Sequence, residues 1–113
     1  GMSDGKTLDL RVFQQFFDQI AKGVKTTEYR VMSDYWMRRL ADTSKYGDLD
    51  EAALRKAMAA DADIKWKPWR YARFHCGGRS LLMRIVSIRA YPSHEWFAIK
   101  LAPAEGQERG GAS

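Results

Sequence analysis

Apolar and polar residues alternate from Thr7 to Phe13. Leu8, Leu10 and Val12 fall on one side and Asp9 and Arg11 on the other, the period-two pattern of a half-buried strand. The period then changes. Phe13, Phe16, Phe17 and Ile20 are spaced i, i+3, i+4 and i+7, which predicts an amphipathic helix and places the three Phe rings in a core rather than in a ligand site. Gly23 stands where a helix ends in a left-handed residue, with Lys22 in the last turn. Thr26–Met32 is rich in β-branched and aromatic residues and predicts a second strand. Period two puts Glu28 and Arg30 on one of its faces, and Thr27, Tyr29 and Val31 on the other.

Ser33 can cap a short helix over Asp34–Leu40, with Trp36, Met37 and Leu40 as its apolar stripe. After a turn at Ser44–Gly47, Asp48 followed by Glu51 three residues on resembles a capping box. It opens a longer helix, ending near Asp61, whose apolar side is Leu49, Ala53, Leu54, Ala57 and Met58. Pro68 makes Trp66–Trp69 an edge or a connection. Arg70–Cys76 reads as a strand, Gly77-Gly78 as a hairpin turn, and Ser80–Ala90 as a long strand whose imperfect alternation predicts a bulge or bend. A turn at Tyr91–Glu95 leads to a last strand, Trp96–Ala102, with Phe97, Ile99 and Leu101 facing inward. Helices early and a run of strands late predict an α+β fold. The strands, mostly antiparallel, are expected to curl into a small barrel, because closure removes exposed edges. One domain over residues 7–102 is expected, with a helical insertion at 33–63 and disordered ends at 1–6 and 103–113.

Composition narrows the class. A chain of 113 residues with 45% hydrophobic and 29% charged residues is long enough and apolar enough for one folded core, which excludes wholesale disorder. No apolar run is long enough to span a bilayer, so no membrane partner is expected, and no secretory segment is visible near the start. Gly1 before Met2 reads as a remnant of tag cleavage. Cys76 is the single cysteine, which excludes an intramolecular disulfide and makes a reducing cytoplasm the expected compartment. The net charge is +5, yet its distribution says more than its size. From Ile64 to His94 there is no Asp or Glu, while Lys65, Lys67, Arg70, Arg73, Arg79, Arg84 and Arg89 all lie there, leaving the rest of the chain net acidic.

Gly23-Val24-Lys25-Thr26-Thr27-Glu28-Tyr29-Arg30 matches the pattern G-x-K-x-x-E-x-R. This resembles the signature of the ASCH family, relatives of the PUA domains, and it falls where that family carries it, after the first strand and helix and leading into the second strand. The order of the later strands is also similar, so the resemblance extends over roughly residues 7–102. It implies a PUA-like barrel with a cleft beside the motif that binds RNA or a nucleobase-like ligand, with no cofactor. Carried onto this chain, Lys25, Glu28 and Arg30 are the cleft residues. Some members resemble hydrolases, among them amidohydrolases acting on N4-acetylcytidine, and one branch ribonucleases; on that alternative Lys25 and Glu28 would be catalytic. This chain departs from the amidohydrolases in carrying Glu28 where they have Thr. It also departs from shorter members in the helical region Ser33–Asp63.

The residues themselves are consistent with either a ligand cleft or an ordinary ion pair. Lys25 is a compact cation with three donors, suited to a phosphate or a carbonyl, and Thr26 follows it with a hydroxyl. Glu28 can pair with Arg30 across one residue, or accept from the exocyclic amine of a base while Arg30 forks onto a phosphate. A second constellation interleaves cations and rings: Lys65, Trp66, Lys67, Trp69, Arg70, Tyr71, Arg73 and Phe74. Nucleic-acid surfaces need cations for phosphates and flat rings for unstacked bases, but the same run would serve as core cover with a solvated charged face. An exposed Trp66 or Trp69 would favour the first. His75 and Cys76 are adjacent on a strand and point to opposite faces, so no metal site is expected. A third possibility is a protein-interaction domain using the helical region around Trp36 and Met37.

Overall fold

A computed structural model describes residues 6–104; the expected disordered ends lie almost wholly outside these described residues. The elements run β1 (Thr7–Arg11), α1 (Gln14–Ala21), β2 (Thr27–Val31), α2 (Asp34–Leu40), a short 3-10 turn (Thr43–Tyr46), α3 (Glu51–Ala59), β3 (Tyr71–Cys76), β4 (Arg79–Tyr91) and β5 (Trp96–Pro103). This is an α+β fold with three α-helices and a five-stranded mixed sheet of order β1-β3-β4-β5-β2, compatible with a small barrel-like fold. β1 pairs with β3 in parallel, Leu8 opposite Ala72 and Leu10 opposite Phe74, whereas β3 and β4 form an antiparallel hairpin. A parallel neighbour needs a long crossover, and the whole of α1 to α3 supplies it. No helix among the described residues is long and apolar enough to cross a membrane.

The chain divides into two compact units. One comprises residues up to Glu28, Trp69–Ser87 and the chain from Ile99 on; the other comprises Tyr29–Pro68 and Ile88–Ala98. The core of the first is Leu8, Leu10, Phe17, Ile20, Ala72, Phe74, Met83, Ile99 and Leu101. The core of the second is Met32, Met37, Leu40, Ala41, Leu54, Met58 and Phe97. The inward faces expected of β1 and β5 are therefore the observed ones, because alternation is a local property of the pleat.

Several expectations are corrected. Phe13 precedes α1 in extended conformation and is 77% exposed, so only Phe17 of the three rings is fully in the core, with Phe16 half-buried. The helical spacing counts Phe13, but the helix starts one residue later. α3 is capped by Asp50, whose carboxylate accepts from the Ala53 amide at 2.9 Å, and not by Asp48. Just before that cap, Arg38 donates to the Leu49 carbonyl at 2.6 Å. The helix ends at Ala59 rather than Asp61. Pro103 belongs to β5 and Ala104 is buried, so the described fold continues past the expected boundary. In β4 the alternation breaks at Leu81-Leu82 and again at Ser87-Ile88, where consecutive residues are half-buried.

Candidate functional site

Lys25 is placed by the end of α1. Gly23, at a φ of 79°, turns the chain, and the Gly23 amide closes on the Ile20 carbonyl at 3.1 Å. The Val24 and Lys25 amides both donate to the Gln19 carbonyl, at 2.9 and 3.0 Å, so helix carbonyls that would otherwise be orphaned hold Lys25 in place. Its Nζ donates to the Thr27 carbonyl at 2.7 Å, stands 3.5 Å from Oε1 of Glu28, and lies 5.5 Å from the centre of the Phe16 ring. Thr26 is exposed, and its carbonyl accepts from the Leu101 amide at 2.8 Å.

β2 turns its charged face inward. Glu28 is 6% exposed, the one charged side chain buried among the described residues, whereas Tyr29 and Val31 on the opposite face are 51% and 64% exposed. Burying a carboxylate costs several kcal/mol unless it is paired and hydrogen-bonded. The Lys25 ammonium 3.5 Å away supplies part of that pairing for Glu28.

The other predicted residues of this unit are arranged on β3 and just before it. Trp69 is half-buried. Arg70 is exposed with its guanidinium 5.8 Å from the Tyr71 ring, and Arg73, half-buried, faces Asp9 of β1 and Leu82 of β4 in register. Neighbouring His75 bonds Asp9 at 2.8 Å. That pair was not legible in the sequence, because only the parallel pairing brings residues 9 and 75 together.

Arg30, Lys65 and Lys67 belong to the second unit. The Arg30 guanidinium sits 5.2 Å from the Trp36 ring. Lys65-Trp66-Lys67 is not a free loop. Ala41 and Trp66 form an antiparallel bridge, the Lys65 carbonyl accepts from Asp42, and the Lys67 amide donates to the Leu40 carbonyl. Lys67 Nζ caps the Arg38 carbonyl at 2.8 Å. Trp66 is half-buried and packs edge-on against Phe97, 5.7 Å between centres. Neither Trp66 nor Trp69 is exposed in the way that would by itself have favoured nucleic acid, and Met37 is buried in the core, which removes it from any docking face.

The second unit also holds features sequence reasoning missed. Oδ2 of Asp61 accepts from Tyr46 Oη at 2.6 Å and lies 2.8 Å from Lys45 Nζ, and Oδ1 accepts from the Asp63 amide at 2.8 Å. The Lys45 ammonium, then the Tyr46 hydroxyl and the Asp63 amide, hold the Asp61 carboxyl down at about 2. Burial, and the bond donated to Asp61, push the Tyr46 phenol well above its ordinary range. Beside this cluster lies an open groove of about 490 Å³, lined by Met58, Asp61, Ala62, Asp63, Ile64, Trp66 and residues Ile88 to Pro92. α3 and the segment after it separate Tyr46 from Asp61, so no short motif announces either.

No family model, curated protein or solved structure matches this chain.

Proposed function

We propose that this chain is an RNA- or nucleobase-binding domain of the ASCH type, with PUA-like architecture, whose ligand is held by Lys25, Thr26 and Glu28. The observation that carries the reading is the buried Glu28 carboxylate with the Lys25 ammonium beside it, at the turn after α1. A carboxylate in that setting accepts from the exocyclic amine or ring N–H of a base, and the adjacent ammonium serves a carbonyl or phosphate oxygen. The resemblance of Gly23–Arg30 to the family signature supports it, and so does the basic segment of the same unit, in which Arg70 and Arg73 supply phosphate contacts.

The test is a titration of the chain against a fluorescent single-stranded RNA and against cytidine nucleosides at several salt concentrations. The expected result is binding to RNA that weakens steeply with salt, together with loss of most of the affinity in a Lys25→Met/Glu28→Leu variant that remains folded. No binding at low salt to either probe overturns the reading. Release of acetate from N4-acetylcytidine, or cleavage of the RNA, abolished by the same variant, replaces the binding module with the hydrolase alternative in which Lys25 and Glu28 do acid–base work.

A further inference from the structure

Phe13 is the most exposed large apolar side chain among the described residues, at 77%. It takes the N-cap position of α1 with no side-chain bond to the helix, where Ser, Thr, Asp or Asn would hold a first-turn amide. Its carbonyl accepts from the Phe16 and Phe17 amides at 3.0 and 2.9 Å, so the ring is carried on ordered backbone. A single exposed apolar residue is ordinary, but this one continues a row. The Phe13 ring stands 6.4 Å from the Phe16 ring, tilted by 47°. The half-buried Phe16 ring stands 5.5 Å from the Lys25 ammonium, and that ammonium stands 3.5 Å from Oε1 of Glu28. An exposed ring, a supporting ring, a cation and a carboxylate thus follow one another within one compact unit.

The occupant that suits this row is flat, with polar groups on its rim. A bare phosphate would offer Lys25 an oxygen and leave Phe13 in water. An apolar side chain of a protein partner would cover Phe13 and strand the ammonium beyond it. A duplex hides the faces of its bases inside the stack, whereas an unpaired base presents both a face and a polar edge. Because the two rings are tilted, only one can lie parallel to that base, and Phe13 is the exposed one. We propose that Phe13 is the stacking residue of the Lys25–Glu28 site, so that the ligand is an unpaired base of a single RNA strand, its face on Phe13 and its polar edge at Lys25. This rests on the function proposed above and narrows it to one ligand class. The surroundings suit the phosphates of such a strand: from Trp69 to Ser87, in the same unit, stand Arg70, Arg73, Arg79 and Arg84 with no Asp or Glu.

The experiment measures, by fluorescence anisotropy at several salt concentrations, the binding of a short labelled single-stranded RNA and of its abasic counterpart to the full chain, to Phe13→Ser and to Phe13→Tyr. Phe13→Ser should weaken the single strand about 10-fold through the lost stacking face, and the abasic strand by less than about 2-fold. Phe13→Tyr keeps a ring and should stay within about 2-fold of the parent. The slope of affinity against salt should be the same for Phe13→Ser as for the parent, because no phosphate contact is removed. Phe13→Ser also gives α1 a capping hydroxyl, so it should melt at or above the temperature of the parent while binding worse, which a merely structural role for the ring would not produce. A Phe13→Ser protein that binds the strand as tightly as the parent, or that loses the same factor on the abasic strand, refutes the stacking role and leaves the proposed function standing. Binding of cytidine by the parent with no binding of the strand does the same. No binding of either RNA or cytidine by the parent overturns the proposed function, and the role of Phe13 with it.

Discussion

The Lys25–Glu28 pair gives a sharp prediction about stability. The Glu28 side chain is 7% exposed and that of Lys25 18%, with 3.5 Å between Nζ and Oε1. Removing one member of a buried pair costs about 3–5 kcal/mol, because the remaining charge stays desolvated. Lys25 keeps some contact with solvent, so water can enter when it is truncated, and about 2 kcal/mol is the expected cost of Lys25→Met. With a urea dependence of roughly 1–3 kcal/mol per molar, that lowers the unfolding midpoint by about 1 M. Glu28→Leu should cost less, about 1 kcal/mol, since the Lys25 ammonium retains the Thr27 carbonyl and can reach water. The double variant Lys25→Met/Glu28→Leu should recover to within about 1 kcal/mol of the parent, because an apolar pair of similar volume has no desolvation cost to offset. Urea unfolding followed by far-UV circular dichroism measures all four proteins. A Lys25→Met cost under about 0.5 kcal/mol, the value of a surface pair, would mean that the fold does not desolvate the pair. So would a double variant as unstable as the two single losses summed. The same double variant is the folded, site-less protein that the binding experiment requires.

Asp61 makes the fold acid-sensitive in a defined window. Its folded carboxyl is held at about 2, below the ordinary 3.8, so its stabilising contribution is complete above about pH 4 and is lost as pH falls towards 2. The difference in stability between the parent and Asp61→Asn should shrink across that interval, and a difference independent of pH from 5 to 2 counts against the Lys45–Tyr46–Asp61 assignment. In the β3–β4 turn, Gly77 has a φ of 61° and Gly78 is not left-handed, with open space at both. Gly77→Ala should therefore cost about 1–2 kcal/mol in a thermal melt while Gly78→Ala stays within about 0.5 kcal/mol. Equal costs would mean that strain at Gly77 is not what sets this turn.

Features whose cause lies within a few residues were legible along the chain. Ser33 caps α2 and accepts from the Trp36 amide because that bond spans three residues. Gly23 and Gly77 take left-handed backbone because neither turn admits a Cβ without strain. Leu8 and Leu10, and Phe97, Ile99 and Leu101, face inward because the pleat alternates. Even the Lys25–Glu28 proximity is local, a turn followed by the start of a strand. Other features depend on partners far along the chain. Periodicity divided β2 into two faces without saying which is buried, and the charged one is. The bond between Asp9 and His75 exists because β1 and β3 run in parallel, and the hold of Tyr46 on Asp61 because the chain doubles back around α3. The groove draws its wall from residues 58–66 and 88–92, which no window of sequence contains together. Backbone geometry and capping act over one turn or one pleat and are written in order along the chain. Burial and pairing are settled when distant segments compete for the same partner, and that competition is resolved only in the fold.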